Sequence, residues 1–250
     1  MITIDAAGLS NIGDTMPINE DRIWHKTCKS DDFSCGLFLV ADGIGGRNGN
    51  LASQTVVDVL STWWENSMTM IVSSEYKMER LLASLDGAIA NANTNVIALQ
   101  TNKLVGTTLS LLFIKKQHYF IRHVGNSRIY SLGQNFLQLT PDNTYAANLA
   151  RAGKITEAEI ATHPKRNVLT RCIGVKCELY KHEEQYTPGA QFLLCTKGFY
   201  NAISGNTVCA ISQNPRISSA GKVHLMRENI KPGTAAGNLS AIVVATKQVS

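Results

Sequence analysis

The chain has 250 residues, 44% of them hydrophobic, and carries a net charge of +5. That length and apolar content supply a sizeable core, and a charged fraction of 17% excludes a disordered chain. Basic residues are scattered, with pairs such as Lys115-Lys116 and Lys165-Arg166 the densest groups, which argues against a nucleic-acid binder and its concentrated basic stripe.

The opening Met1-Ile2-Thr3-Ile4-Asp5 has neither the basic segment nor the apolar run of a signal peptide. No apolar run anywhere approaches the roughly 20 residues of a membrane span, so a cytoplasmic protein is expected. Residues 36–41, Gly-Leu-Phe-Leu-Val-Ala, form a short apolar run before a glycine-rich turn and predict a buried strand. Helix spacing then places Val56, Val57, Leu60, Trp63 and Trp64 on one face of a helix over 51–64. A second helix is predicted over 78–100, with Leu81, Leu82, Leu85, Ile89, Ala92, Val96 and Leu99 on its stripe. Strands over 107–114 and 119–124 flank a polar turn, and 127–132 continues an antiparallel meander. Two short helices are expected over 144–152 and 156–161, the second opened by a capping box of Thr156 and Glu159. Whether residues 144–169 form a flap is open at this level. Buried strands follow over 192–195 and 239–245. Between them, residues 204–237 are rich in Gly, Asn, Ser and Pro and predict the loosest segment, with one helical stretch near 222–229. The six cysteines, Cys28, Cys35, Cys172, Cys177, Cys195 and Cys209, show no CxxC pair or zinc spacing, so reduced thiols are expected.

This order lacks regular βαβ alternation. It predicts an α+β fold of antiparallel sheets with helices outside, in a single domain over 1–250. Two groups of carboxylates stand where they can do chemistry. Glu20-Asp21 precedes a strand-like stretch, and Asp42 ends the run 37–41 and opens Asp42-Gly43-Ile44-Gly45-Gly46. A strand-end aspartate can coordinate a hard cation through oxygen, and adjacent glycines let backbone carbonyls approach the same ion. Alone, the Asp-Gly pair also reads as a turn. The segment is neither a P-loop, because no Gly-Lys-Ser/Thr follows, nor an EF-hand, because the alternating ligand positions are missing.

Taken in order, Asn19-Glu20-Asp21, Val40-Ala41-Asp42-Gly43, Gly106-Thr107-Thr108, Gly125-Asn126-Ser127-Arg128, Thr140-Pro141-Asp142, Arg171-Cys172-Ile173-Gly174, Thr196-Lys197-Gly198 and Gly237-Asn238-Leu239-Ser240 resemble the metal-dependent protein phosphatases, the PPM or type 2C serine/threonine phosphatases of bacterial type. The resemblance covers nearly the whole chain. It implies two antiparallel β-sheets packed as a sandwich, helices on the outside, and a cleft holding two Mg2+ or Mn2+ ions at one end. In such a site the ions bind phosphate and activate a bridging water. By position, Asp42 would bridge both ions, the Gly43 carbonyl would bind the second, Glu20 would hold its waters, and Asp21 would support the first.

The departures from the family's pattern fall on the chemistry. Lys197 and Gly237 stand where the family has aspartates, Asn126 where it has the aspartate of Gly-Asp-Ser-Arg, and Asn143 where it has histidine. Met16 replaces an arginine that grips substrate phosphate. Mg2+ needs anionic oxygen ligands to offset its desolvation. A lysine among those ligands is the opposite of what the ion requires. The expectation is therefore a pseudophosphatase that partners a phosphoprotein or a serine/threonine kinase. Mn2+ or Mg2+ would bind weakly, if at all, through Asp42, Gly43 and Glu20. The alternative is an active Mn2+- or Mg2+-dependent serine/threonine phosphatase with a reduced site in which Asp21 and Asp42 support the metal-bound water. Without ions, Lys197 is expected to pair with Asp42 or Asp21.

Overall fold

Strand β3 (Ser34–Ile44) is buried at nearly every position, a pattern that needs cover on both faces. It pairs with β2 (Asp21–Lys29) on one side and β5 (Leu109–Lys115) on the other. Strands β6 (His118–Val124) and β9 (Tyr180–Gln185) extend this sheet, and the two-residue β4 (Gly106–Thr107) pairs with the end of β3. The second sheet runs in the order β1 (Ile2–Asn11), β11 (Leu239–Gln248), β10 (Gln191–Cys195), β7 (Arg128–Leu132), β8 (Phe136–Gln138). Every strand pair in both sheets is antiparallel. These elements come from a computed structural model that describes residues 2–46, 48–101, 104–133 and 136–248.

The two-residue period of the strands sorts their side chains into three apolar seams. Phe38, Val40, Leu112 and Ile121 face Phe192, Leu194, Ile242 and Val244 between the sheets. Leu37, Leu39, Leu111 and Phe113 point the other way. They meet Val56, Leu60 and Trp64 of α1 (Gly49–Asn66) and Leu85 and Ile89 of α3 (Met78–Ala98), with α2 (Met68–Val72) between those helices. On the far side, Leu193, Ala241 and Val243 pack against Phe199 of α6 (Lys197–Ala202), Val208 of α7 (Gly205–Ser212), and Val223 and Met226 of α8 (Ser219–Glu228). The layers are thus helices, sheet, sheet, helices, as the sequence predicts. Among the described residues, no helix is long and apolar enough to cross a membrane.

Helices α4 (Tyr145–Arg151) and α5 (Glu157–Ile160) occupy the segment between β8 and β9. The capping box forms: the Thr156 amide donates to Glu159 Oε2 at 2.7 Å, and its hydroxyl lies 2.8 Å from the same atom.

Three expectations need correction. Residues 204–237 hold more helix than expected, because α7 lies there beside α8, which matches the stretch read near 222–229. Each starts at a serine whose Oγ accepts a backbone N–H of the first turn, Ser204 from Thr207 at 3.1 Å and Ser218 from Gly221 at 3.3 Å. Strands β1 and β9 were not anticipated, since neither has a strong apolar alternation. The thiols are not all free, because Cys28 and Cys35 are joined in a disulfide. The two are register partners across β2 and β3, which puts their side chains on the same face at adjacent positions.

Candidate active site

The end of the sandwich reached by β2, β3, β10 and β11 collects the residues that the sequence singles out. Asp21 and Asp42 are register partners, so both carboxylates arrive together. The backbone of Asp42 is fixed from the β4–β5 junction. Its N–H donates to Thr108 Oγ1 at 2.9 Å, and its carbonyl accepts the Thr108 N–H at 2.9 Å and the Thr107 hydroxyl at 3.0 Å. Asp21 lies beneath the surface, only 1% exposed. The Thr196 hydroxyl donates to its Oδ2 at 2.7 Å, which links the two sheets directly under the site. Its Oδ1 is buried with no hydrogen-bond partner among the described residues.

A cleft of about 350 Å³ opens above this pair, lined by Glu20, Asp42, Gly43, Lys197 and Gly237, with Met16 at its wall. Local contacts dictate two of its glycines. A Cβ on Gly43 would stand 2.2 Å from the Gly49 carbonyl oxygen, and one on Gly198 2.1 Å from the Asn238 carbonyl oxygen. Asn238 buttresses the same wall: its Oδ1 accepts the Glu20 N–H at 2.9 Å, and its Nδ2 donates to the carbonyls of Ile12 and Ile18. Gly237 is different, because a Cβ there would meet only Gly198 Cα at 3.7 Å.

The carboxylates are crowded. Burial, with the neighbouring Glu20 charge, pushes Asp21 up to about 6 although Thr196 and Ser240 act against the rise. Asp42 is held well above the usual carboxylate range by burial and by the charge of Asp21, with Lys197 opposing. Glu20 is raised by burial.

Lys197 does not form the expected pair. Its Nζ donates to Asn167 Oδ1 at 2.5 Å, and no ion pair within 4.0 Å joins it to Asp42 or Asp21. The side chain starts at the first residue of α6 and extends toward the 144–169 segment, where the Asn167 carboxamide meets it. The Asp42 charge still acts on it through space, but burial dominates and lowers its pKa.

Lys197 and Asn201 also line a second pocket of about 440 Å³ on the side of that segment. Asn126 lies here, away from the Asp42 cleft, and so do Arg166 and Asn167. Arg128 on its wall is committed to Asp142, with Nε–Oδ1 at 2.9 Å and Nη2–Oδ2 at 2.8 Å, and stacks on the Tyr200 ring. Sequence reasoning missed Asn167 and Arg166 as site residues. They lie about thirty positions from Lys197, and no spacing rule links them to it.

The arrangement has two unlike halves. Glu20, Asp42 and the Gly43 backbone present oxygen to the cleft, and Lys197 and Gly237 line it without a carboxylate. No group of three or more His, Cys, Asp or Glu among the described residues is placed to hold a metal ion. The residues present therefore do not fit a pair of divalent ions, and the orphaned Asp21 Oδ1 is the feature that speaks for a single cation.

Comparison with known proteins gives consistent matches. The family model described as protein phosphatase 2C matches residues 7–231. The serine/threonine phosphatase stp of Listeria welshimeri is 29% identical over 217 residues, 83% of each chain. The crystal structure of the Mycobacterium tuberculosis serine/threonine phosphatase PstP/Ppp superposes with a TM-score of 0.83 at 26% identity, covering 99% of this chain and 100% of that one. The catalytic domain of PstP in complex with two manganese ions superposes at 0.80 with 25% identity, covering 99% of this chain and 100% of that one.

Proposed function

Since the chain belongs to the protein phosphatase 2C family, we propose that it is a pseudophosphatase: a single domain over 1–250 that recognises serine/threonine-phosphorylated protein and turns it over poorly or not at all. Lys197 carries this reading. It opens α6 just past β10, where the sequence pattern calls for a metal-binding aspartate, and its ammonium turns to Asn167, so the position gives the Asp42 cleft no carboxylate. Mg2+ and Mn2+ bind through anionic oxygen, so a position that offers an ammonium in place of a carboxylate leaves the ion short of a ligand. Gly237 supplies no compensating carboxylate. Phosphoprotein recognition suits a cytoplasmic regulatory module whose partner is a serine/threonine kinase or that kinase's phosphoprotein, and neither nucleic acid nor membrane enters this role.

One observation favours a second reading, an active Mn2+- or Mg2+-dependent phosphatase with a reduced site. The buried Asp21 Oδ1 lacks a partner and stands next to Asp42, and a single cation held by Asp42, Glu20 and the Gly43 carbonyl would relieve both. When bound, such a cation would supply Lewis-acid activation of water.

A turnover assay on a phosphothreonine peptide in Mn2+ decides between the two, run beside Asp42→Ala and beside calorimetric Mn2+ titration. Turnover at the level of the Asp42→Ala control supports the pseudophosphatase. Robust wild-type turnover that Asp42→Ala abolishes replaces it with the reduced-site enzyme.

A further inference from the structure

We infer that the phosphoryl group of a serine/threonine-phosphorylated segment is held in the 440 Å³ pocket between Lys197, Arg166 and Asn126, and not over the Asp42 carboxylates. The inference rests on the family reading above and names the binding site within it.

Electrostatics decides the side. A phosphate monoester carries a charge of about −1.5 to −2 near neutral pH. Without divalent ions, the 350 Å³ cleft offers it Glu20 and Asp42, with Asp21 just beneath, and those groups repel it. The cation at this end of the molecule faces the other way, since Lys197 Nζ reaches Asn167.

The lining of the second pocket suits an anion. Arg166 is exposed there, and its only side-chain hydrogen bond among the described residues is a long one of 3.4 Å to the His163 carbonyl. Asn126 is 6% exposed, and among the described residues its carboxamide has no hydrogen-bond partner, although its backbone carbonyl accepts the Tyr200 hydroxyl at 3.1 Å. Its polar atoms open onto the pocket and not into the protein interior, so the carboxamide NH2 can donate to an anion that enters. Two acids line the same pocket. Asp142 is neutralised by its bidentate pair with Arg128, which leaves Glu157 as the opposing charge. Lys197 and Arg166 outweigh it. Asparagine at 126, where an aspartate would repel phosphate, fits the same purpose.

The test uses the full chain in EDTA, with a fluorescein-labelled phosphothreonine peptide read by anisotropy. The unphosphorylated peptide and inorganic phosphate serve as separate arms. Phosphopeptide binding should fall about tenfold or more in Lys197→Gln and in Arg166→Gln, the loss expected for one charge-assisted hydrogen bond. It should hold or tighten in Asp42→Asn, which removes repulsion. Inorganic phosphate should compete weakly, and the unphosphorylated peptide should not bind. Arg166 is exposed, so its variant probes the site without disturbing the fold. Equal binding by wild type and both cation variants overturns the inference, as does absence of phosphopeptide binding at millimolar concentration. Binding that requires Mn2+ and disappears in Asp42→Asn also overturns it, by moving the phosphate to the carboxylates. The turnover assay in Mn2+ is independent, so failure of this site and failure of the pseudophosphatase reading are read separately.

Discussion

Position 197 shows how one side chain can redirect a site while the surrounding scaffold stays in place. Restoring carboxylates is sterically open: a Cβ at Gly237 has ordinary clearance, and Lys197 already projects beyond its backbone. The double variant Lys197→Asp/Gly237→Asp should therefore bind Mn2+ at least about tenfold more tightly than wild type in calorimetry, since it adds two anionic ligands and removes a competing cation. Adding Met16→Arg should return a bidentate phosphate donor, read as a lower KM in any turnover that appears. His123 supports a prediction of another kind. It is fully buried, with Nδ1 2.9 Å from Ser110 Oγ and Nε2 2.9 Å from the Pro141 carbonyl, and burial lowers its pKa to about 4. The carbonyl can only accept, so Nε2 carries the proton and Nδ1 accepts from the serine. A histidine with a depressed folded pKa stabilises the fold above its unfolded value of 6.5, and that stability is lost as pH falls toward 4. About 3 kcal/mol should disappear across this window, at 1.36 kcal/mol per unit. Urea melts at several pH values should show the loss in wild type and a flatter profile in His123→Gln. The charge pattern at 20, 21, 42, 126, 197 and 237 was legible from residue order alone. The direction of Lys197 was not, because Asn167 meets it only after the chain has folded.

Among the elements, the junctions into β10–α6 and out of β3 set the site, and glycines hold them where two backbones touch. Gly198→Ala should cost at least ~2 kcal/mol by overpacking against the Asn238 carbonyl. Gly237→Ala, whose Cβ would meet Gly198 Cα at an ordinary contact of 3.7 Å, should stay within about 0.5 kcal/mol of wild type. A pair of thermal melts separates close approach from mere proximity to the site. Helices α1 and α3 were readable because their buried faces repeat at helical spacing, and β3 because it is apolar throughout. Strand β9, Tyr-Lys-His-Glu-Glu-Gln, was not readable: it is mostly polar, and it is a strand because the edge of β6 supplies its backbone partners. Helix α7 was hidden by its Gly, Ser and Asn content, although Ser204 was a usable start signal, whereas α8 matches the helical stretch read near 222–229. The Cys28–Cys35 bridge needed the β2–β3 register, which cysteine spacing does not reveal.

At the scale of the molecule, the three seams share sheets but not side chains, so their energetics should separate. Phe192→Ala in the middle seam and Trp64→Ala in the helical seam should each cost about 3–5 kcal/mol. The double variant should equal their sum within ~0.5 kcal/mol in urea unfolding, since the two residues belong to different clusters. A strongly non-additive result would mean that the seams form one cooperative core. The sandwich itself was legible because seven of the eight ordered motifs fall at or near strand ends. The pairing of β1 with β11 was not, since Ile2–Asn11 becomes a strand by matching Leu239–Gln248 residue for residue. That pairing has a temporal consequence. Strand β1 must wait for β11, with more than two hundred residues synthesised in between. The sheet that supplies Lys197 and Gly237 therefore cannot close on the ribosome until residues 239–248 have emerged from its exit tunnel. Nascent chains arrested earlier should expose β10 to proteases and chaperones as an unpaired edge.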